Sequence, residues 1–148
     1  MLKRASTRSM LGKIPTGYKV RRSKFLARNQ IVGDGLYTEN PIERGHFIGE
    51  YKGKRLTLEQ ASKKKQRKSY FFDVKGKKNV VLFVIDAANK RNSSFVRYAN
   101  AANTEAEQNA MFVQKHQKIY LKALRDIHAG EEILTWYGPL TQDVINQT

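Results

Sequence analysis

Gly130-Glu131-Glu132-Ile133-Leu134-Thr135-Trp136-Tyr137-Gly138, taken with Arg97-Tyr98-Ala99-Asn100 upstream, decides how this chain is read. Neither stretch holds a His or a Cys. Glu131 and Glu132 are adjacent, so on a strand they point to opposite faces and do not form a catalytic carboxylate pair. Any chemistry here rests on a tyrosine, an asparagine and backbone groups. Tyr137-Gly138-Pro139 falls where a strand ends, a place that often holds a site. Trp136 and Tyr137 could equally be core aromatics, as could Tyr70-Phe71-Phe72.

The 148 residues suit one domain with a real core. There is no cysteine, which excludes disulfides and thiolate zinc sites and favours an intracellular chain. The start has no apolar run and is no signal peptide, and no stretch approaches the ~20 apolar residues of a membrane span. The net charge of +15 is unevenly placed. Residues 1–30 hold nine Lys/Arg and no acid, and residues 52–78 hold eleven against Glu59 and Asp73. The remainder is slightly acidic. Two basic segments on a folded domain favour a polyanion such as DNA through counterion release, or simply keep the surface solvated.

Residues 1–16 read as a basic tail ending near Pro15-Thr16-Gly17. Tyr18 to Phe25 suits an edge strand, Gly33-Asp34-Gly35 a turn, and Leu36-Tyr37-Thr38 and His46 to Tyr51 strands. Thr57-Leu58-Glu59-Gln60 is a capping box, so a short helix runs toward Lys63–Lys68. Tyr70–Val74 and Val80–Asp86 form a hairpin, as do Met111–Gln114 and Ile119–Ala123. Residues 88–110 read as loop with one short helix, and Glu132 to Trp136 as the last strand. Many short strands with irregular connections predict a mainly β (α+β) domain.

Gly33-x-Gly35 alone is weak. Thr38 takes the third glycine position of a dinucleotide fingerprint and no helix follows, so an ordinary turn explains it as well. His46, His116 and His128 sit on different predicted elements without metal-ligand spacing, so no metal is expected. No serine-hydrolase elbow is present.

The order of the motifs carries more. Gly33-Asp34-Gly35-Leu36, Glu50-Tyr51-Lys52-Gly53, Ser69-Tyr70-Phe71-Phe72-Asp73, Ile85-Asp86-Ala87, Arg97-Tyr98-Ala99-Asn100 and Gly130–Gly138 succeed one another from Tyr18 to Tyr137. This series resembles the SET-domain protein lysine methyltransferases. Phe95 to Phe112 and the ending Trp136-Tyr137-Gly138 are most similar to the PR subgroup. The resemblance implies a SET-type β-clip of small sheets with short helices, and a C-terminal pseudoknot threaded through a loop. It implies S-adenosylmethionine as cofactor, held by Gly33, Asp34, Gly35, Phe83, Asn100, Ala101 and Tyr137. Tyr137 would be the central catalytic tyrosine, with Tyr70 beside it. Tyr70, Thr135 and Trp136 would line the channel of the substrate lysine.

The family's usual Asn-His-Ser triplet reads Asn100-Ala101-Ala102 here, and Thr135 stands where relatives carry a Phe or Tyr. The resemblance implies a domain over residues 17–138, with 139–148 covering the cofactor site. It implies a histone or another DNA-associated basic protein as substrate; the Lys63–Lys68 run reads as a nuclear-targeting patch or as a solvated helix end. A chain of charge +15 should repel an isolated basic tail. DNA or nucleosome contact through residues 1–30 and 52–78 would reconcile the two. The rival reading is a catalytically weak SET-like module that binds nucleic acid or a partner through those segments.

Overall fold

The computed structural model describes residues 13–64 and 70–136. Among these residues, ten short strands form four small sheets. The strands are β1 (Tyr18–Arg22), β2 (Asp34–Thr38), β3 (Phe47–Glu50), β4 (Lys54–Leu56), β5 (Phe71–Lys75), β6 (Val81–Asp86), β7 (Asn100–Ala101), β8 (Ala110–Lys115), β9 (Lys118–Ala123) and β10 (Leu134–Thr135). The sheets run β1-β2, β3-β9-β8, β4-β6-β5 and β10-β7, and only the last pairing is parallel. The helices are α1 (Lys24–Arg28) and α2 (Leu58–Lys63). Leu36, Val74, Val96, Ile119, Leu121, Ile127 and Ile133 are among the side chains packed where the sheets meet. A second, smaller cluster of Leu56, Ala61 and Val84 seats α2 on β4 and β6.

Both hairpins form as the alternation predicts, with Val113 facing Tyr120 and Phe72 facing Ile85 in register. The capping box forms too: the Thr57 hydroxyl accepts from Gln60 N–H, and the Gln60 carboxamide oxygen accepts from Thr57 N–H. The helix ends at Lys63, and Lys65–Ser69 lie outside the described residues.

Four expectations need correction, and one strand, β4, is not among those expected. The strand from Tyr18 stops at Arg22, because Ser23 turns the chain and caps α1 by accepting from Leu26 N–H at 2.9 Å. Asp34 and Gly35 are no turn; both are already paired with β1. Lys54–Leu56 pairs with β6 as a strand that its charged sequence conceals. Residues 88–110 hold three 3-10 turns and β7 rather than one helix. The final strand is shorter than expected, Leu134–Thr135, with Glu132 contributing an isolated bridge to Tyr37.

The segment from Gly130 to Thr135 is threaded between two others. On one side Thr38 N–H donates to Glu131 O at 3.2 Å and Ile133 N–H to Leu36 O at 2.7 Å. On the other, Leu134 and Thr135 pair with Asn100 and Ala101. Asn109, 1% exposed, clamps the same segment: its amide donates to Glu132 O at 2.9 Å and accepts from Leu134 N–H at 2.8 Å. A deeply buried amide whose groups are all bonded specifies one register for the thread.

Candidate functional site

The threading brings the motifs together. Gly33 O accepts from Ser23 N–H at 2.8 Å, tying the start of β2 to the cap of α1. Asn100 reaches across from β7 and donates through Nδ2 to Asp34 O at 2.8 Å and to Glu132 Oε2 at 3.3 Å. Both partners are acceptors, so the orientation of the amide is fixed by its bonds. Its Oδ1 has no donor among the described residues.

Glu132 is the hub, and sequence reading passed over it. Its carboxylate accepts from Ser23 Oγ at 2.6 Å, Phe25 N at 3.1 Å, Tyr37 Oη at 3.2 Å and Asn100 Nδ2 at 3.3 Å. Four donors from β2, β7 and the α1 entry thus converge on one anion. Tyr37 Oη accepts in turn from Lys24 N–H at 2.8 Å and has Arg22 O, at 3.0 Å, as a second acceptor for its one hydrogen. Burial and the Glu132 charge raise the Tyr37 phenol above its ordinary value, so it stays a neutral donor. Gly35 also has a local reason to be glycine: a Cβ there would come within 2.9 Å of Glu132 Cδ. The carboxylate occupies the space that any side chain would take.

Glu131 points the other way, as the alternation of a strand requires. It accepts from His128 N–H at 2.9 Å and from Arg125 Nη2 and Asn109 Nδ2, each at 3.3 Å. Burial would raise its pKa, but these hydrogen bonds and the Arg125 charge outweigh it and hold the carboxyl below its usual range.

Tyr70 belongs to a second cluster, joined to the first by the Arg97–Asn100 segment. Arg97, 7% exposed, lies within a 3-10 turn at Phe95–Tyr98. Its guanidinium donates to Ala87 O at 2.7 Å and to Ala88 O at 3.1 Å. It also lies over the rings of Tyr70 and Tyr98, 4.2 and 4.9 Å from their centroids. The backbone of Tyr70 is held as well, its carbonyl accepting from Tyr51 Oη at 2.7 Å. The chain becomes extended at Ala99, which aims Asn100 toward the other cluster.

The remaining candidates fall in different places. Ala101 pairs with Thr135 beside Asn100. Thr135 is fully buried, with its hydroxyl 3.4 Å from Asn100 O. Trp136 is 39% exposed at the end of the described residues, and Tyr137 lies outside them. Phe83 is tied elsewhere, its ring under the Arg55 guanidinium at 4.5 Å on the β4-β6-β5 sheet. Among the described residues no group of three His, Cys, Asp or Glu is placed to hold a metal ion. No helix there is long and apolar enough to cross a membrane.

Ser23, Tyr37, Arg97, Asn109 and Glu132 are the residues that sequence reading missed. Ser23 ahead of Lys24-Phe25-Leu26 is a legible cap; the other four act through contacts far away along the chain.

Comparison with known proteins agrees with the fold. The family model for the PR domain of PR domain zinc finger protein 2 matches residues 25–147. The chain is 30% identical over 126 residues to histone-lysine N-methyltransferase set-17 of Caenorhabditis elegans, covering 84% of this chain and 42% of that protein. It therefore spans less than half the length of that relative. The solved methyltransferase domain of human PR domain-containing protein 2 superposes with a TM-score of 0.68 at 26% identity, covering 87% of this chain and 82% of that one.

Proposed function

This chain belongs to the PR-domain branch of the SET family, and on that premise we propose that it is an S-adenosylmethionine-dependent protein-lysine N-methyltransferase. The observation that carries the reading is the Asn100 amide. Its two N–H groups are taken by Asp34 O and Glu132, which leaves Oδ1 as an acceptor. An acceptor beside a carboxylate suits an ammonium group, and the methionine part of S-adenosylmethionine carries one. We assign Asn100, Ala101 and the Gly33-Asp34-Gly35 backbone to that end of the cofactor, and Tyr137 to the rest.

When bound, the cofactor supplies a sulfonium methyl group for in-line transfer. The chain's own contribution is placement. Tyr70, clamped by Arg97, and Trp136 would wall the lysine channel, with Thr135 packed behind, while the Tyr137 hydroxyl would hold the reacting centre through weak C–H···O contacts. The lysine amine attacks only when neutral, and its free pKa is about 10.4. An apolar aromatic channel favours loss of that proton to solvent, so no dedicated base is needed. The rate should rise toward alkaline pH wherever chemistry limits turnover.

The Caenorhabditis relative is named for histone-lysine methylation. We assign this chain the same class: a histone or another DNA-bound basic protein, in the nucleus. Residues 1–30 and 52–78 would hold the DNA; in the second segment Lys54, Lys63 and Lys64 line one depression, with Lys63 and Lys64 exchanging Glu59 and Asp86 for phosphates on binding. Residues 17–138 would form the domain, and 139–148 would cover the cofactor.

The test is radiolabelled methyl transfer to nucleosomes and free histones, run beside a thermal shift with S-adenosylhomocysteine. Tyr137→Phe should abolish transfer and keep the thermal shift, and Asn100→Ala should lose both. Transfer that survives Tyr137→Phe at the wild-type rate would sink the assignment. A wild-type protein that gives no shift and no transfer would favour the binding-module reading instead.

A further inference from the structure

Strands β8 and β9 are remote in sequence from both basic segments, yet the outer face of the β3-β9-β8 sheet is basic. Ala110 and Phe112 of β8 and Ile119, Leu121 and Ala123 of β9 turn into the core. Strand alternation therefore puts Lys115 of β8 and Lys118, Tyr120 and Lys122 of β9 on the opposite side. Phe47 of β3 joins them opposite Lys122, 38% exposed. Its ring lies 5.8 Å from that of Tyr120 at an interplanar angle of 71°. Lys115 Nζ and Lys122 Nζ rest 4.5 and 5.8 Å from the Phe47 centroid. The register adds one acid, Glu50, opposite Tyr120. None of the three lysines forms an ion pair among the described residues.

We propose that this face binds single-stranded nucleic acid, with bases stacking on Phe47 and Tyr120 and phosphates meeting Lys115, Lys118 and Lys122. Lysines alone would serve any polyanion. The two rings narrow the choice, because partly exposed aromatics on a sheet face offer what unstacked bases need. A duplex keeps its bases stacked internally and gains nothing from Phe47. An acidic peptide would meet the lysines and leave the rings without planar partners. The chain's charge of +15 draws any polyanion toward the surface.

The experiment is fluorescence anisotropy on the full chain with a labelled oligouridylate and a duplex of equal length. The single strand should bind more tightly. Phe47→Leu keeps an apolar side chain but no π face, and should weaken single-strand binding by about tenfold with little effect on the duplex. The Lys115→Ala, Lys118→Ala, Lys122→Ala triple variant should flatten the salt dependence of single-strand affinity by about two in log–log slope. A circular dichroism melt establishes that each variant is folded. Equal affinity for both ligands, with Phe47→Leu unchanged, would overturn the proposal. So would an acidic oligopeptide that displaces the oligouridylate as well as unlabelled oligouridylate does.

Discussion

The two ends of the Arg97–Asn100 segment are held by different physics. At Asn100, order comes from a carboxylate: Glu132 gathers donors from three elements, and the amide orientation follows. At Arg97, order comes from a cation against two aromatic faces and two carbonyls. The first arrangement suits a site that must recognise a charged, polar ligand end. The second suits a wall that must stay apolar and shaped. A single short turn couples them, so a change at one end should be felt at the other only through the backbone of Tyr98 and Ala99.

The sharpest way to break this contrast is Glu132→Ala. It strands several donors at once, at a cost of about 2–4 kcal/mol, or a melting temperature lower by roughly 10 °C. Differential scanning calorimetry should show that loss together with weakened S-adenosylhomocysteine binding. An unchanged melt would mean that the hub is incidental.

Arg97→Met should cost less, about 2–3 kcal/mol, since two carbonyls lose their donor while the stem volume is kept. Its effect should fall on methyl transfer more than on cofactor affinity, the reverse of Glu132→Ala. Arg97→Lys should recover only part of the loss, because an ammonium cannot reach both carbonyls and stack as the planar fork does. Equal damage to both readouts from both sites would erase the distinction between the two ends.

The smallest effect concerns Glu131, on the far side of the thread. Its folded pKa is depressed below 4.5, so its contribution is fully present above that value and is lost as pH falls through the lower folded value. Acid titration followed by circular dichroism should show Glu131→Gln losing part of this sensitivity, an effect under about 1 kcal/mol at a partly exposed group. An identical acid profile in the variant would show that the interaction is fully screened.

Much of this was legible in the sequence, and the rest was hidden for definite reasons. The hairpins, the capping box and the order of the motifs depend on neighbours in the chain. That order is also what singles out Tyr70, Gly33, Asp34, Gly35, Asn100 and Ala101 as candidates. Glu132 was set aside because adjacent carboxylates cannot pair, which was sound; its true partners lie far away, at Ser23, Phe25 and Tyr37. Arg97 looked like one basic residue among many, since its burial appears only when Ala87, Tyr70 and Tyr98 close around it. Lys115, Lys118 and Lys122 fell in a stretch of balanced charge, and only strand alternation gathers them on one face. The full burial of Thr135 beside Asn100 likewise shows only in the fold.

The central claim is that Asn100 gives its amide hydrogens to the protein and keeps its oxygen for the cofactor. Calorimetric titration of S-adenosylhomocysteine into the wild type and Asn100→Ala, both verified as folded, tests it most directly. The account predicts saturable binding to the wild type and at least about tenfold weaker binding to the variant, about 1.4 kcal/mol. Equal affinity in the two proteins, or no binding to the wild type, would contradict it.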